Sequence, residues 1–151
     1  MKIFFKVLLF VSVVVTSAGL QAGDKFTQKR SPYNVSETLD RLESVLKKKG
    51  ITVFARVDHK YGAKKAGLQM QPTQLLIFGN PKMGTPLMNE NPLMGLDLPM
   101  KALAWEDKKG QVWLAYTNPS ELQRRHKIKN AQIIKKMTAA LDGLTNKAIG
   151  N

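Results

Sequence analysis

The sequence contains no cysteine. That removes disulfides, a thiol nucleophile, a thiolate metal site and a lipid-attachment cysteine. Histidine is nearly as scarce, at two residues among 151. With His59 and His126 far apart and no H-E-x-x-H spacing, a catalytic zinc centre has too few donors. No G-x-x-x-x-G-K-[ST] run and no G-x-S-x-G run occurs, so a phosphate-cradling NTPase loop and a serine-hydrolase elbow are absent. No apolar run approaches the roughly 20 residues needed to span a bilayer. Acids are few: 11 Asp and Glu stand against 24 Lys and Arg, a formal net charge of +13.

The longest apolar stretch is Val7 to Val15, VLLFVSVVV, behind Lys2 and Lys6 and ahead of the small residues in TSAGLQAG. A basic start, a short apolar middle and small residues make a secretory leader. Residues 1–22 are therefore expected to be removed by cleavage after Ala22, with Ala18 as the rival site, and the protein is expected in the periplasm or outside the cell. No membrane anchor is expected after that removal. About 129 residues remain, enough for one domain with its own core. Losing Lys2 and Lys6 lowers the basic count to 22 against the same 11 acids. A field of that sign attracts polyanions, although lysines spread along the whole chain also suit an ordinary solvated surface.

Downstream, the punctuation is regular. Asp24 to Ser31 alternates like an edge strand. Asn34, with Glu37 three residues on, predicts a helix start and a capping box. Val35, Leu39, Leu42, Val45 and Leu46 recur at helical spacing, and Lys47, Lys48, Lys49 and Gly50 suit its C-terminus. Ile51 to Val57 reads as a strand with Ile51, Val53, Ala55 and Val57 on one face. Tyr61 to Gly67 is a short helical or irregular crossing. Thr73 to Phe78 is a strand, central in the sheet, that feeds a helix from Pro81 to Glu90 through Gly79 and Asn80. A second short helix covers Pro92 to Leu96. Met100 to Glu106 and Gln111 to Tyr116 form a hairpin around Asp107 to Gly110. Asn118-Pro119 opens a helix ending near His126, again with a capping box at Glu121, and Asn130 to Lys147 is the last helix.

The order predicts an α+β fold: two layers, one mostly antiparallel sheet of about five strands, and helices packed on one face. Residues 23–128 are taken as the domain and 129–151 as a basic amphipathic helix added to it.

At this point TLDRLESVLKKKGITVFARVDH, AKKAGLQMQPTQLLIFGNPKMGTPLM and LDLPMKALAWEDKKGQVWLAYTNPSELQRRH carry a resemblance. Over about Ser31 to Ile128 the chain closely resembles the domain-of-unknown-function family 302. The positions matching its motif are His59, Gly79, Asn80, Pro81, Gly84, Thr85, Pro86, Leu98, Pro99, Trp105, Glu106 and Asp107. The resemblance implies a compact α/β domain, often dimeric, and implies no established activity.

Residues with chemical capacity are few. His59 follows Asp58 at a strand end, so it is a candidate acid/base with Asp58 as its orienter. Asn80, Lys82, Gly84 and Thr85 sit where free N–H groups at a helix start could hold a small anion; a plain strand-to-helix corner explains the same residues. Met70, Met83, Met88, Met94 and Met100 could offer thioethers to Cu(I), or simply fill gaps in a core. Trp105 beside Glu106 completes the candidate pocket. Glu106 and Asp107 are adjacent, so on a strand they diverge, against a paired-carboxylate hydrolase. The expectation is a binding or accessory module for a small ligand or anion, with no metal and no cofactor. The alternatives are an enzyme using His59, and a dimeric interaction protein meeting envelope polyanions through its basic surface. A homodimer is a candidate assembly, as is a monomer, and no specific nucleic acid is expected.

Overall fold

The computed structural model describes residues 25–151, so the leader expected at 1–22 and the strand start at Asp24 lie outside the described residues. The elements are β1 (Phe26–Ser31), α1 (Val35–Lys48), β2 (Thr52–Asp58), α2 (His59–Lys65), β3 (Thr73–Gly79), α3 (Pro81–Glu90), a 3-10 helix (Pro92–Leu96), β4 (Met100–Glu106), β5 (Val112–Thr117), α4 (Pro119–His126) and α5 (Ala131–Ile149). The five strands make one sheet in the order β1-β5-β4-β3-β2. Every pairing is antiparallel. The α+β fold with helices packed on the sheet is the one the sequence predicts.

One residue type starts almost every helix. Asn34, Asn80, Asn91, Asn118 and Asn130 each accept, on the side chain, an N–H of the first turn. Asp58 does the same for α2. Three of these starts are Asn-Pro, where proline's missing N–H falls at a position with no helical partner anyway. The capping boxes do not form as expected. Glu121 is instead buried and clamped by Arg124 at 2.7–2.9 Å.

The core lies on one side of the sheet. Leu76 and Phe78 of β3, Ala102 and Ala104 of β4, and Leu114 and Tyr116 of β5 face α1 and α5. Helix α1 contributes Leu39, Leu42 and Leu46, all fully buried. A buried Leu stabilises by about 2 kcal/mol through the area it removes from water. The C-terminal helix, expected as an addition, supplies Ile134, Met137, Leu141, Leu144, Ala148 and Ile149 to the same core. It is also tied down by polar contacts. Lys29 of β1 places its Nζ near the Oδ1 of Asp142 (2.7 Å), the Oγ1 of Thr145 (2.8 Å) and the Oδ1 of Asn146. Arg41 of α1 lies over the Tyr33 ring and donates to the Ala148 carbonyl at 2.7 Å.

The alternation expected through Ile51 to Val57 breaks. A register shift between Val53 and Ala55 leaves Phe54 unpaired. Val53 then pairs with Phe78 on the helix side, whereas Ala55 and Val57 pair with Ile77 and Leu75 on the opposite side. Such a bulge redirects a side chain, and here the redirected one is Phe54.

Candidate functional site

Phe54 points the way to an apolar concavity. The sheet side of this pocket is built by Ile51, Phe54, Phe78 and Gly79. The first half of α3 and Met88 form one wall, and Leu98, Pro99 and Met100 form the other. Met137, Ala140, Leu141 and Leu144 of α5 close it from above. The pocket has a volume of about 210 Å³ and opens to solvent. No charged side chain lines it; Asn80 and Thr85 are its polar side chains. Four methionines from three elements, Met83, Met88, Met100 and Met137, meet there. Only the first three of these could be noticed as a cluster in the sequence.

Two glycines set its walls through spacing. A Cβ on Gly84 would stand 3.4 Å from the Leu98 side chain, and one on Gly79 would stand 3.4 Å from Pro99 and 3.5 Å from Phe54. Methyl groups would just touch these neighbours; larger side chains would take up pocket space.

The helix start that the sequence offers as an anion site is already satisfied. Pro81 has no N–H. Lys82 N–H donates to the Asn80 side chain at 2.9 Å, and the Met83 and Gly84 N–H groups both donate to the Asn80 carbonyl at 3.0 Å. The first turn of α3 therefore keeps no free donor for an anion. Lys82 is exposed and does not line the pocket. The stretch is a strand-to-helix corner that borders an apolar pocket.

The eight sequence-predicted site residues fall into two groups. Asn80, Gly84 and Thr85 line the pocket, with Lys82 on the same turn. Asp58, His59, Trp105 and Glu106 lie at the other end of the sheet, where Asp58 pairs with Gln74 and Trp105 with Thr73. Gln74 and Asn80 are six residues apart along β3, roughly 20 Å. Asp58 is occupied as a cap: one oxygen accepts from the Tyr61 N–H at 2.8 Å and the other from the Gln74 side chain at 3.0 Å. It does not orient His59, which is exposed. Trp105 stacks against Trp113 with ring centroids 6.4 Å apart. The indole N–H of Trp113 donates to Asp107 at 3.0 Å. That bond, with further ones from Gln111 and Lys109 N–H groups, holds the Asp107 carboxyl below its ordinary range.

A second polar cluster was hidden from the sequence. His126 is buried, and its Nε2 meets Asp97 Oδ2 at 2.5 Å. Arg125 reaches both Asp97 oxygens at 2.9 and 3.0 Å, and Asn91 donates to the His126 carbonyl at 3.0 Å. Burial works to raise the Asp97 pKa, but the hydrogen bonds from His126 and Arg125 outweigh it and hold the carboxyl below its ordinary range. Nothing in the spacing of residues 29 apart signals this contact. The cluster ties α4 to the turn that leads into Leu98 and Pro99 of the pocket wall. Among the described residues, no group of three or more His, Cys, Asp or Glu could hold a metal ion.

The chain is 39% identical, over 165 aligned residues, to a protein of Brucella suis biovar 1 named fluoride-specific ion channel FluC 1. The match covers 93% of this chain and 65% of that protein. A protein of Brucella melitensis biotype 1 named fluoride-specific ion channel FluC 2 matches at 39% identity, over 93% of this chain and 61% of its own length. The chain thus spans less than two thirds of these curated relatives. Among the described residues, no helix is long and apolar enough to cross a membrane. A crystal structure of an uncharacterized conserved protein DUF302 from Bacillus stearothermophilus superposes with a TM-score of 0.76 at 22% identity. It covers 83% of this chain and 99% of that one, and shows the shared fold. The model of the domain of unknown function DUF302 matches residues 27–144, from β1 into the last turns of α5, and on that match the chain belongs to the DUF302 family.

Proposed function

We propose that the protein is a binding module for a small, uncharged, largely apolar molecule held between the sheet and α5. The observation that carries this is a pocket of about 210 Å³ without a single charged lining residue. A cavity of about 150 Å³ lined by apolar side chains accepts benzene, so a substituted ring or a short acyl chain is the matching size. Asn80 and Thr85 supply the polar contacts that would orient it. Thioether side chains reshape easily, which suits a range of apolar ligands. Lys2, Lys6, the apolar run and the small residues after it support action outside the cytoplasm.

Ala140 is exposed at the mouth of the pocket, so Ala140→Phe should close the mouth and leave the fold intact. Native mass spectrometry of the protein purified from its own cells should find a small molecule that the variant lacks. Thermal shift with medium-chain alcohols and monocyclic aromatics should stabilise the wild type and spare the variant. Equal behaviour of the two proteins in both measurements would remove this reading.

The longer relatives favour a second, compatible reading. Those proteins are named fluoride channels, and this chain matches 61–65% of their length. A channel needs membrane-spanning structure. The described residues contain no such helix, which points to the remaining third of the relatives as the channel-forming part. We propose that this chain corresponds to their other part and serves a fluoride channel as an accessory. Deleting it should sensitise its host to fluoride, and restoring it should reverse the effect. Identical growth with and without the chain across fluoride concentrations would count against the accessory role.

A further inference from the structure

We propose that the pocket selects a molecule with a neutral hydrogen-bond acceptor, a ketone, aldehyde or ester carbonyl on an apolar body, and that Asn80 is the residue that reads it. The proposal rests on the apolar pocket proposed above and names the functional group its ligand carries. It starts from the Asn80-Pro81 pair. Proline holds the residue before it to extended backbone, and Asn80 is extended, with φ −132° and ψ 116°. Its side chain turns back over the first turn of α3, where Oδ1 accepts the Lys82 N–H at 2.9 Å.

That bond decides which way round the amide stands. An N–H donor needs an oxygen opposite it, so the two ends of the amide cannot be exchanged. The end left over is Nδ2, with its two N–H donors. Among the described residues, no acceptor takes either of them. The corresponding amide of Asn91 is spent inside the protein, on the His126 carbonyl at 3.0 Å. Asn80 is half-buried and lines the pocket. Gly79 and Gly84 line it too and carry no side chain to screen the amide.

The unspent donor sets what can bind. An ammonium facing Nδ2 would set donor against donor. A carboxylate is an acceptor, but no charged side chain lines the pocket to offset the loss of its hydration. A neutral carbonyl accepts the same bond at a much smaller desolvation cost. Thr85, exposed at the rim, does not discriminate, because a hydroxyl donates or accepts. Phe54, Phe78, Leu98 and the methionines then cover the apolar body.

Acetophenone and α-methylstyrene share a shape and differ in C=O against C=CH2, so their affinity ratio isolates the acceptor. Both are titrated by NMR into the purified protein and into Asn80→Asp and Asn80→Ser. Each variant keeps an oxygen to cap α3; the first turns the amide donor into an acceptor, and the second removes the amide. In the wild type, acetophenone should shift the Asn80 side-chain amide protons downfield, and α-methylstyrene should not. In both variants the affinity for acetophenone relative to α-methylstyrene should fall about ten-fold, the net size of one hydrogen bond. Benzoate and 1-phenylethylamine should bind the wild type more weakly than acetophenone by about ten-fold or more. Benzoate bound as tightly as acetophenone would overturn the choice of a neutral group. An unchanged ratio in both variants, with both ligands bound, would overturn the role of Asn80 and leave the apolar pocket standing. A wild type that binds none of these probes, and that behaves as Ala140→Phe does, would remove the pocket as a binding site and this inference with it.

Discussion

Asp97 shows how much a single side chain can hold. It accepts from His126 and, on both carboxylate oxygens, from one guanidinium nitrogen of Arg125, linking its turn to α4. Its pKa is lowered from an ordinary value of 3.8, so the folded state binds the proton more weakly than the unfolded state does. The stabilisation is complete above the ordinary value and is lost as pH falls through the lower folded value. Asp97→Asn should cost about 1–3 kcal/mol near neutrality. It should also flatten the acid limb of stability below about pH 4, as read from urea unfolding at several pH values. An acid limb as steep in the variant as in the wild type would show that other carboxylates set it. Asn80 is a smaller case. Asn80→Ala removes the side-chain cap of α3 and should cost about 1 kcal/mol. It should also loosen the pocket wall, visible as faster amide exchange at Lys82.

Among the elements, α5 carries the clearest consequence. A chain ended after Ile128, where the family resemblance read from the sequence stops, loses Met137, Leu141, Leu144 and Ala148 from the core. It should show no cooperative thermal transition by circular dichroism, whereas a native-like melt would mean that α5 is dispensable. The sequence showed most elements because its punctuation is local. Asn-Pro starts, the polar hairpin turn and the 3.6-residue spacing in α1 act within a few residues, and the ranges they predict for α3, the 3-10 helix and β4 match the structure. The misses have non-local causes. The bulge at Phe54 depends on pairing with β3. The polar tie from Lys29 to α5 spans more than a hundred residues. The pocket is half legible for the same reason. Asn80, Gly84 and Thr85 share one local corner, but Phe54 and Met137 reach it only through tertiary structure. His59 looked attractive beside Asp58, and sequence adjacency gave no warning that Asp58 would be spent as a cap.

At the scale of the molecule, the two sides of the sheet do different work. Leu42 lies in the core and Leu103 on the open face. Leu42→Ala should cost about 2–5 kcal/mol and Leu103→Ala about 1 kcal/mol or less, by urea unfolding. Comparable losses would mean that the open face is packed. The placement of the chain's first and last elements reaches further. Strand β1 pairs only with β5, and Lys29 and Arg41 both find partners on α5. During synthesis at ~5–20 residues per second, α1 waits on the order of ten seconds for the helix that covers it. Until then the core lacks Met137, Leu141, Leu144 and Ala148. For the export that we propose, this delay would keep the chain threadable, and the sheet would gain its cover once α5 has followed β1 across.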